Sequence, residues 1–136
     1  MTLIWRKQLE IGDEAIDTDH KYLICLINTV ELTLRTPQNR ELLPTTLAQL
    51  EEYTHTHFER EESIMLAIRY SRYDQHKIQH QLLLKELAAI QKKIEAKGDG
   101  EFTEEECTAI ATLFRHWLLD HLVKEDTQLR AALTGK

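Results

Sequence analysis

The chain has 136 residues, enough for one domain of ordinary size and too few for two. Its 17 Lys and Arg against 23 Asp and Glu give a net charge of −6 with no basic cluster, which argues against a nucleic-acid surface or an anionic-membrane patch. Hydrophobic residues at 42% and charged residues at 29% mark a folded chain, and only 4 Gly and 2 Pro favour a few long helices over turn-rich β architectures.

Residues 1–17 read as an irregular arm with the apolar anchors Leu3, Ile4, Trp5, Leu9, Ile11 and Ile16. Asp17 or Thr18 can cap a first helix over about 18–36, which stops before Pro37 because proline disfavours helix in the residue ahead of it. A second helix spans about 40–66 and tolerates Pro44 in its first turn, where N–H groups have no intrahelical partner. Asp74 looks like the N-cap of a third helix, about 74–97, closed by Gly98-Asp99-Gly100. Thr103-Glu104-Glu105-Glu106 is a capping-box pattern opening a fourth helix over about 103–133. Cys25 reads as a small buried residue and Cys107 as a first-turn residue, both chemically idle, since two cysteines make no disulfide framework.

Read at spacings of four and three, each helix carries one apolar stripe. The stripes are Ile16, His20, Leu23, Ile27, Val30, Leu34; then Leu43, Leu47, Leu50, Thr54, His57, Glu61, Ile64; then His76, His80, Leu83, Leu87, Ile90, Ile94; then Cys107, Ile110, Phe114, Trp117, His121. Such seams pack four-helix bundles, here an all-α, antiparallel up-down-up-down bundle with an irregular N-terminal arm. Five of the 7 histidines and one glutamate interrupt the apolar stripes. They lie near the starts of helices one and three and the ends of two and four, which short connections bring to one end of the bundle.

A lone histidine on such a stripe is usually a core residue bonded to a carbonyl. Five imidazoles and a carboxylate buried together would cost several kcal/mol unless something satisfies them jointly, and a bound Fe, Zn, Cu or Ni ion does so. His57 and Glu61 are four residues apart, as are His76 and His80, so the members of each pair are only ~40° apart around the helix and can aim at one point. Five nitrogens exceed a closed tetrahedral zinc site, and two metals sharing carboxylate bridges use them better. His55, about 200° from His57, and His116, off the stripe, read as surface or supporting residues. Asp126, ~140° round a regular helix from His121, would join the cluster only through a π-type irregularity or a pair of metals.

The sequence resembles the bacterial hemerythrins over nearly its whole length, as a single hemerythrin-like domain over 1–136. The resemblance rests on Trp5, Gly12, Ile16-Asp17-Thr18-Asp19-His20-Lys21, His57-Phe58-Glu59-Arg60-Glu61-Glu62, Met65, Tyr70, His76-Lys77-Ile78-Gln79-His80, Trp117-Leu118-Leu119-Asp120-His121 and Asp126. It implies a non-haem di-iron cofactor, with His76, His80 and His121 on one iron, His20 and His57 on the other, and Glu61, Asp126 and an oxo or hydroxo group bridging. Dioxygen would bind at the open position of the two-histidine iron, in an apolar pocket formed by Leu23, Phe58, Trp117 and Leu118. The pattern departs from the family at Asp19, where bacterial relatives commonly carry Gln, at Ser71 and at Leu129, and none of these removes a ligand.

The expected function is therefore reversible dioxygen binding for storage, delivery or sensing, without enzymatic turnover. The rival readings are a di-iron enzyme or redox or nitric-oxide sensor, ferroxidase- or peroxidase-like, and an iron-handling protein. Only Glu52-Tyr53-Thr54-His55 matches the Glu-x-x-His motif of ferritin-like oxidases, and His55 faces away from the seam. The N-terminal MTLIWRKQ lacks a secretory apolar core and no apolar run approaches the ~20 residues of a membrane span, so a cytoplasmic chain without a membrane partner is expected. It is expected to work as a monomer, with dioxygen as ligand and a signalling or oxygen-requiring partner left open.

Overall fold

The structure is a computed structural model that describes residues 3–98 and 100–134. Its long elements are α1 (Glu14–Arg35), α2 (Leu43–Ala67), α3 (Tyr73–Glu95) and α4 (Glu104–His121), and no strand occurs among the described residues. After α4 a widened π turn, Leu122–Asp126, leads into α5 (Thr127–Leu133), so the predicted fourth helix is one rod with a local defect. Short 3-10 segments at Lys7–Leu9 and Pro37–Leu42 lead into α1 and α2.

The start of α1 differs from the expected one. Its cap is Asp13, whose side chain accepts from the Ile16 N–H at 3.0 Å. Asp17, one of the two predicted caps, instead accepts from the N–H groups of Ile11 at 2.8 Å and Gly12 at 3.2 Å, tying the arm to the helix. Thr18 is simply an exposed residue of the first turns. Gly12, at φ 93°, makes the bend that brings those two N–H groups onto Asp17. Within the arm, Leu3, Trp5 and Leu9 pack on the core, whereas Ile4, expected to anchor, is exposed.

Thr36 ends α1 ahead of Pro37, and Pro44 sits in the first turn of α2, as the proline rules require. Between α2 and α3 the chain reverses through Arg69, which takes the left-handed conformation at φ 54° while the Tyr70 N–H closes onto the Met65 carbonyl at 2.9 Å. The residue ahead of α3 is Arg72, which makes no side-chain cap bond. Asp74, the predicted cap, lies inside the first turn, where its charge faces the positive end of the helix dipole. Gly98 at φ 62° follows α3, and Asp99 of the predicted breaker lies outside the described residues. The capping box at α4 is present: the Glu106 N–H donates to Thr103 Oγ1 at 3.1 Å and the Thr103 N–H to Glu106 Oε1 at 2.9 Å.

Helix α1 packs on α2 and α4, α2 on α3, and α3 on α4. The stripes meet in a core running from Leu34, Leu43, Ile94 and Cys107 at one end to Phe58, Trp117 and Leu122 toward the other. Beyond the histidines, a second apolar group of Ile11, Ile16, Met65 and Leu129 closes the bundle. Cys107 is buried with its thiol 3.5 Å from the Leu34 carbonyl, but Cys25, expected inside, is exposed because it stands off the α1 stripe. Among the described residues no helix is long and apolar enough to cross a membrane.

Candidate metal centre

The stripe positions decide which polar side chains point inward. His20 on α1, His57 and Glu61 on α2, His76 and His80 on α3, His121 at the end of α4 and Asp126 at the end of the π turn converge, and none is more than 6% exposed. In a regular helix Asp126 would point away from His121. The π turn takes up the extra residue with its wider i→i+5 closure, and His121 Nε2 comes to 3.1 Å from Asp126 Oδ1.

The two carboxylates each face two ways. Glu61 Oε1 lies 2.5 Å from His76 Nε2 and 3.1 Å from His80 Nε2, while its Oε2 lies 3.3 Å from His57 Nε2 and 3.8 Å from His20 Nε2. Asp126 Oδ1 lies 3.1 Å from both His76 Nε2 and His121 Nε2, and Oδ2 lies 3.1 Å from His20 Nε2. The donors thus sort into two clusters able to hold a metal ion, Glu61-His76-His80-His121 and His20-His57-Glu61-Asp126.

Within this centre Glu61 Oε2, both Asp126 oxygens and His121 Nε2 are buried without a hydrogen bond of proper geometry. Orphaned buried acceptors are costly, and imidazole nitrogens aimed with them at common points fit one or two cations of the transition-metal class. Without a cation, protons take that role. Burial opposes charge on His57, but bonds to Asp19 and Glu61 outweigh it and push the ring up to about 9. The same opposition raises His76 to about 9, through Asp126 and Glu61, and His121 to about 10, through the charge of Asp126. Burial likewise works against charge on Glu61 and Asp126, yet the surrounding histidines hold both well below the usual carboxylate range.

Outside the cluster, two further carboxylates reach ring nitrogens turned away from it. Asp19 Oδ2 lies 3.0 Å from His57 Nδ1, and Glu62 Oε2 lies 2.7 Å from His80 Nδ1. Asp19 also accepts from the Tyr53 hydroxyl at 2.6 Å and from the Arg60 guanidinium. Against the cost of burial, His57, Tyr53 and Arg60 lower its carboxyl to about 2. Sequence reasoning assigned neither Asp19 nor Glu62 a part in the site. Both stand in the stretches that carry the family resemblance, Asp19 before His20 and Glu62 after Glu61, but a place beside a candidate ligand says nothing about a ring on another helix.

His55 and His116 are exposed, as their helical angles implied. The other predicted residues, Leu23, Phe58, Trp117 and Leu118, line a small cavity against His20, His57 and His121 that leaves about 10 Å³ for the centre of a water-sized sphere. Leu83 completes its wall and was not singled out in the sequence, where it is one apolar stripe residue among many. Phe58 stacks on the His80 ring at 3.9 Å, and Trp117 Nε1 donates to the Leu83 carbonyl at 2.8 Å, so the lining is fixed from two sides.

Residues 11–133 match the hemerythrin HHE cation binding domain. Among curated proteins, the chain is 31% identical over 110 residues to a bacteriohemerythrin of Methylococcus capsulatus, covering 81% of this chain and 79% of that one. It is 27% identical over 124 residues to a bacteriohemerythrin of Stenotrophomonas maltophilia, covering 91% and 76%. It is 22% identical over 128 residues to one of Clostridium acetobutylicum, covering 92% and 96%. No solved structure matches significantly.

Proposed function

The chain belongs to the hemerythrin HHE cation-binding family, and from that premise we propose that it binds dioxygen reversibly at a pair of non-haem irons. In this reading His76, His80 and His121 would hold one iron, His20 and His57 would hold the other, and Glu61 and Asp126 would serve both. The observation that carries the reading is the two-way aim of the carboxylates, each with one oxygen toward either histidine set. A single-metal site would leave half of those oxygens unused.

When bound, the irons supply the reversible electron transfer by which dioxygen is held and released. The residues supply the rest. Two histidines instead of three leave the His20–His57 position one protein ligand short, and the cavity of Leu23, Phe58, Trp117 and Leu118 lies against both of those rings and against His121. Its apolar lining disfavours anions and bulk water there, which would favour release of oxygen as the neutral molecule. The nitrogen-rich donor set, with two bridging carboxylates, favours holding oxygen over activating it, and storage, delivery or sensing are the roles this serves.

The test is metal stoichiometry with a visible spectrum, taken reduced without air, then after air, then after removal of oxygen. Two irons per chain and an absorption band that comes and goes with oxygen are expected. Two irons that oxidise at once, with no oxygen-dependent band, would overturn reversible binding and turn the reading toward an oxidase or redox sensor.

A further inference from the structure

We propose that Asp19 is a positioning residue that sets the strength of one metal position only, the one served by His57; the inference rests on the two-metal reading above. Asp19 is 1% exposed and all its partners lie on α2. One oxygen reaches His57 Nδ1 at 3.0 Å, and the other accepts from the Tyr53 hydroxyl at 2.6 Å and from Arg60. Tyr53 and Arg60 stand four residues before and three after His57, so one face of α2 presents the ring together with the two donors that hold its carboxylate still. With Nδ1 engaged by Asp19, the ring is fixed with Nε2 inward, 3.3 Å from Glu61 Oε2 and 3.1 Å from His20 Nε2.

Selectivity follows from who else is anchored. In the other cluster His80 has its own carboxylate, Glu62, at 2.7 Å from Nδ1. His20 and His76 have buried Nδ1 atoms without a hydrogen-bond partner. Among the described residues, each cluster therefore has one ring anchored by an outward carboxylate. Removing Asp19 leaves the two-histidine cluster with none, while the three-histidine cluster keeps the Glu62–His80 pair. Partners of this kind orient the ligand and raise its basicity, and losing one typically weakens metal binding roughly 10–100-fold.

The full chain, loaded with Co²⁺ and titrated with a chelator while its visible absorption is followed, tests this. The native chain should release two ions per chain. Asp19→Ala should release one of them at roughly 10–100-fold lower chelator activity and leave the other unchanged. Asp19→Asn, which keeps an acceptor for the ring N–H without the charge, should fall between and keeps the test alive if the alanine variant does not fold. In a His57→Ala background Asp19→Ala should cause no further loss, because the ring it acts through is gone. Glu62→Gln should weaken the other ion instead. Equal weakening of both ions by Asp19→Ala, no weakening, or a full additional loss in the His57→Ala background would each overturn the proposal. A native chain that takes up fewer than two ions would defeat the two-metal reading itself, a failure distinct from two ions that ignore Asp19.

Discussion

Where α1 ends and α4 begins, the bundle interior is Leu34, Leu43, Leu47, Ile94 and Ile110; where α1 begins and α4 ends, it is five histidines and two carboxylates, and neither set is more than 6% exposed. The first set is held by removal of apolar area from water, at about 25 cal/mol per Å², and needs nothing beyond its own shape. The second has given up water without closing its own hydrogen bonds, since Glu61, His121 and Asp126 keep inward atoms unpartnered. One half of the core is complete as protein, and the other is complete only with cations or protons. The apolar packing and the candidate metal centre thus sit in different turns of the same four helices, and a substitution in the apolar half should cost stability without removing metal.

The largest break comes from Glu61→Ala. Glu61 belongs to both clusters able to hold a metal, so on the two-metal reading the variant should lose both ions, read as metal content falling close to zero per chain. Next, Leu47→Ala in the apolar half should cost about 2–5 kcal/mol of unfolding free energy by denaturant titration and leave metal content per chain unchanged.

A smaller effect should appear on changing pH without metal. His57, His76 and His121 hold their protons up to about 9, 9 and 10, above the ordinary 6.5, so their stabilising contribution is whole below that value and lost as pH rises through the higher ones. Glu61 and Asp126 are shifted down, so their contribution is present above the ordinary carboxylate range and lost as pH falls. Metal-free chain should therefore lose stability between about pH 7 and 10, and metal-loaded chain should lose less, because bound ring nitrogens have no proton to give up. Denaturation midpoints across that range decide it. The smallest effect sharpens the comparison from outside: His55→Ala, two residues from His57 but exposed, should leave metal content and midpoint unchanged.

Much of this was legible in one dimension. The period of the apolar residues marked four helices, Pro37, Pro44 and Thr103 fixed boundaries close to those observed, and the same period separated His57 from His55. It was less reliable where side chains compete for one backbone role. Asp13 and Asp17 both stand ready to cap α1, and the arm decides between them by claiming Asp17 for the N–H groups of Ile11 and Gly12. Ile16 on the stripe was the available hint that the helix starts earlier.

What the sequence by itself determined is the inward identity of His20, His57, Glu61, His76, His80 and His121, because a helix repeats its faces at a fixed angle and these five histidines and one glutamate fall on apolar faces. What only the tertiary structure decided is everything that depends on a distance between helices or on a defect within one. Asp126 joins the centre through the π turn, Asp19 and Glu62 reach rings on other helices, and Leu83 closes the cavity from α3. The reason is physical: local periodicity sets direction along one axis, whereas the separation of two axes follows from how all the side chains pack at once.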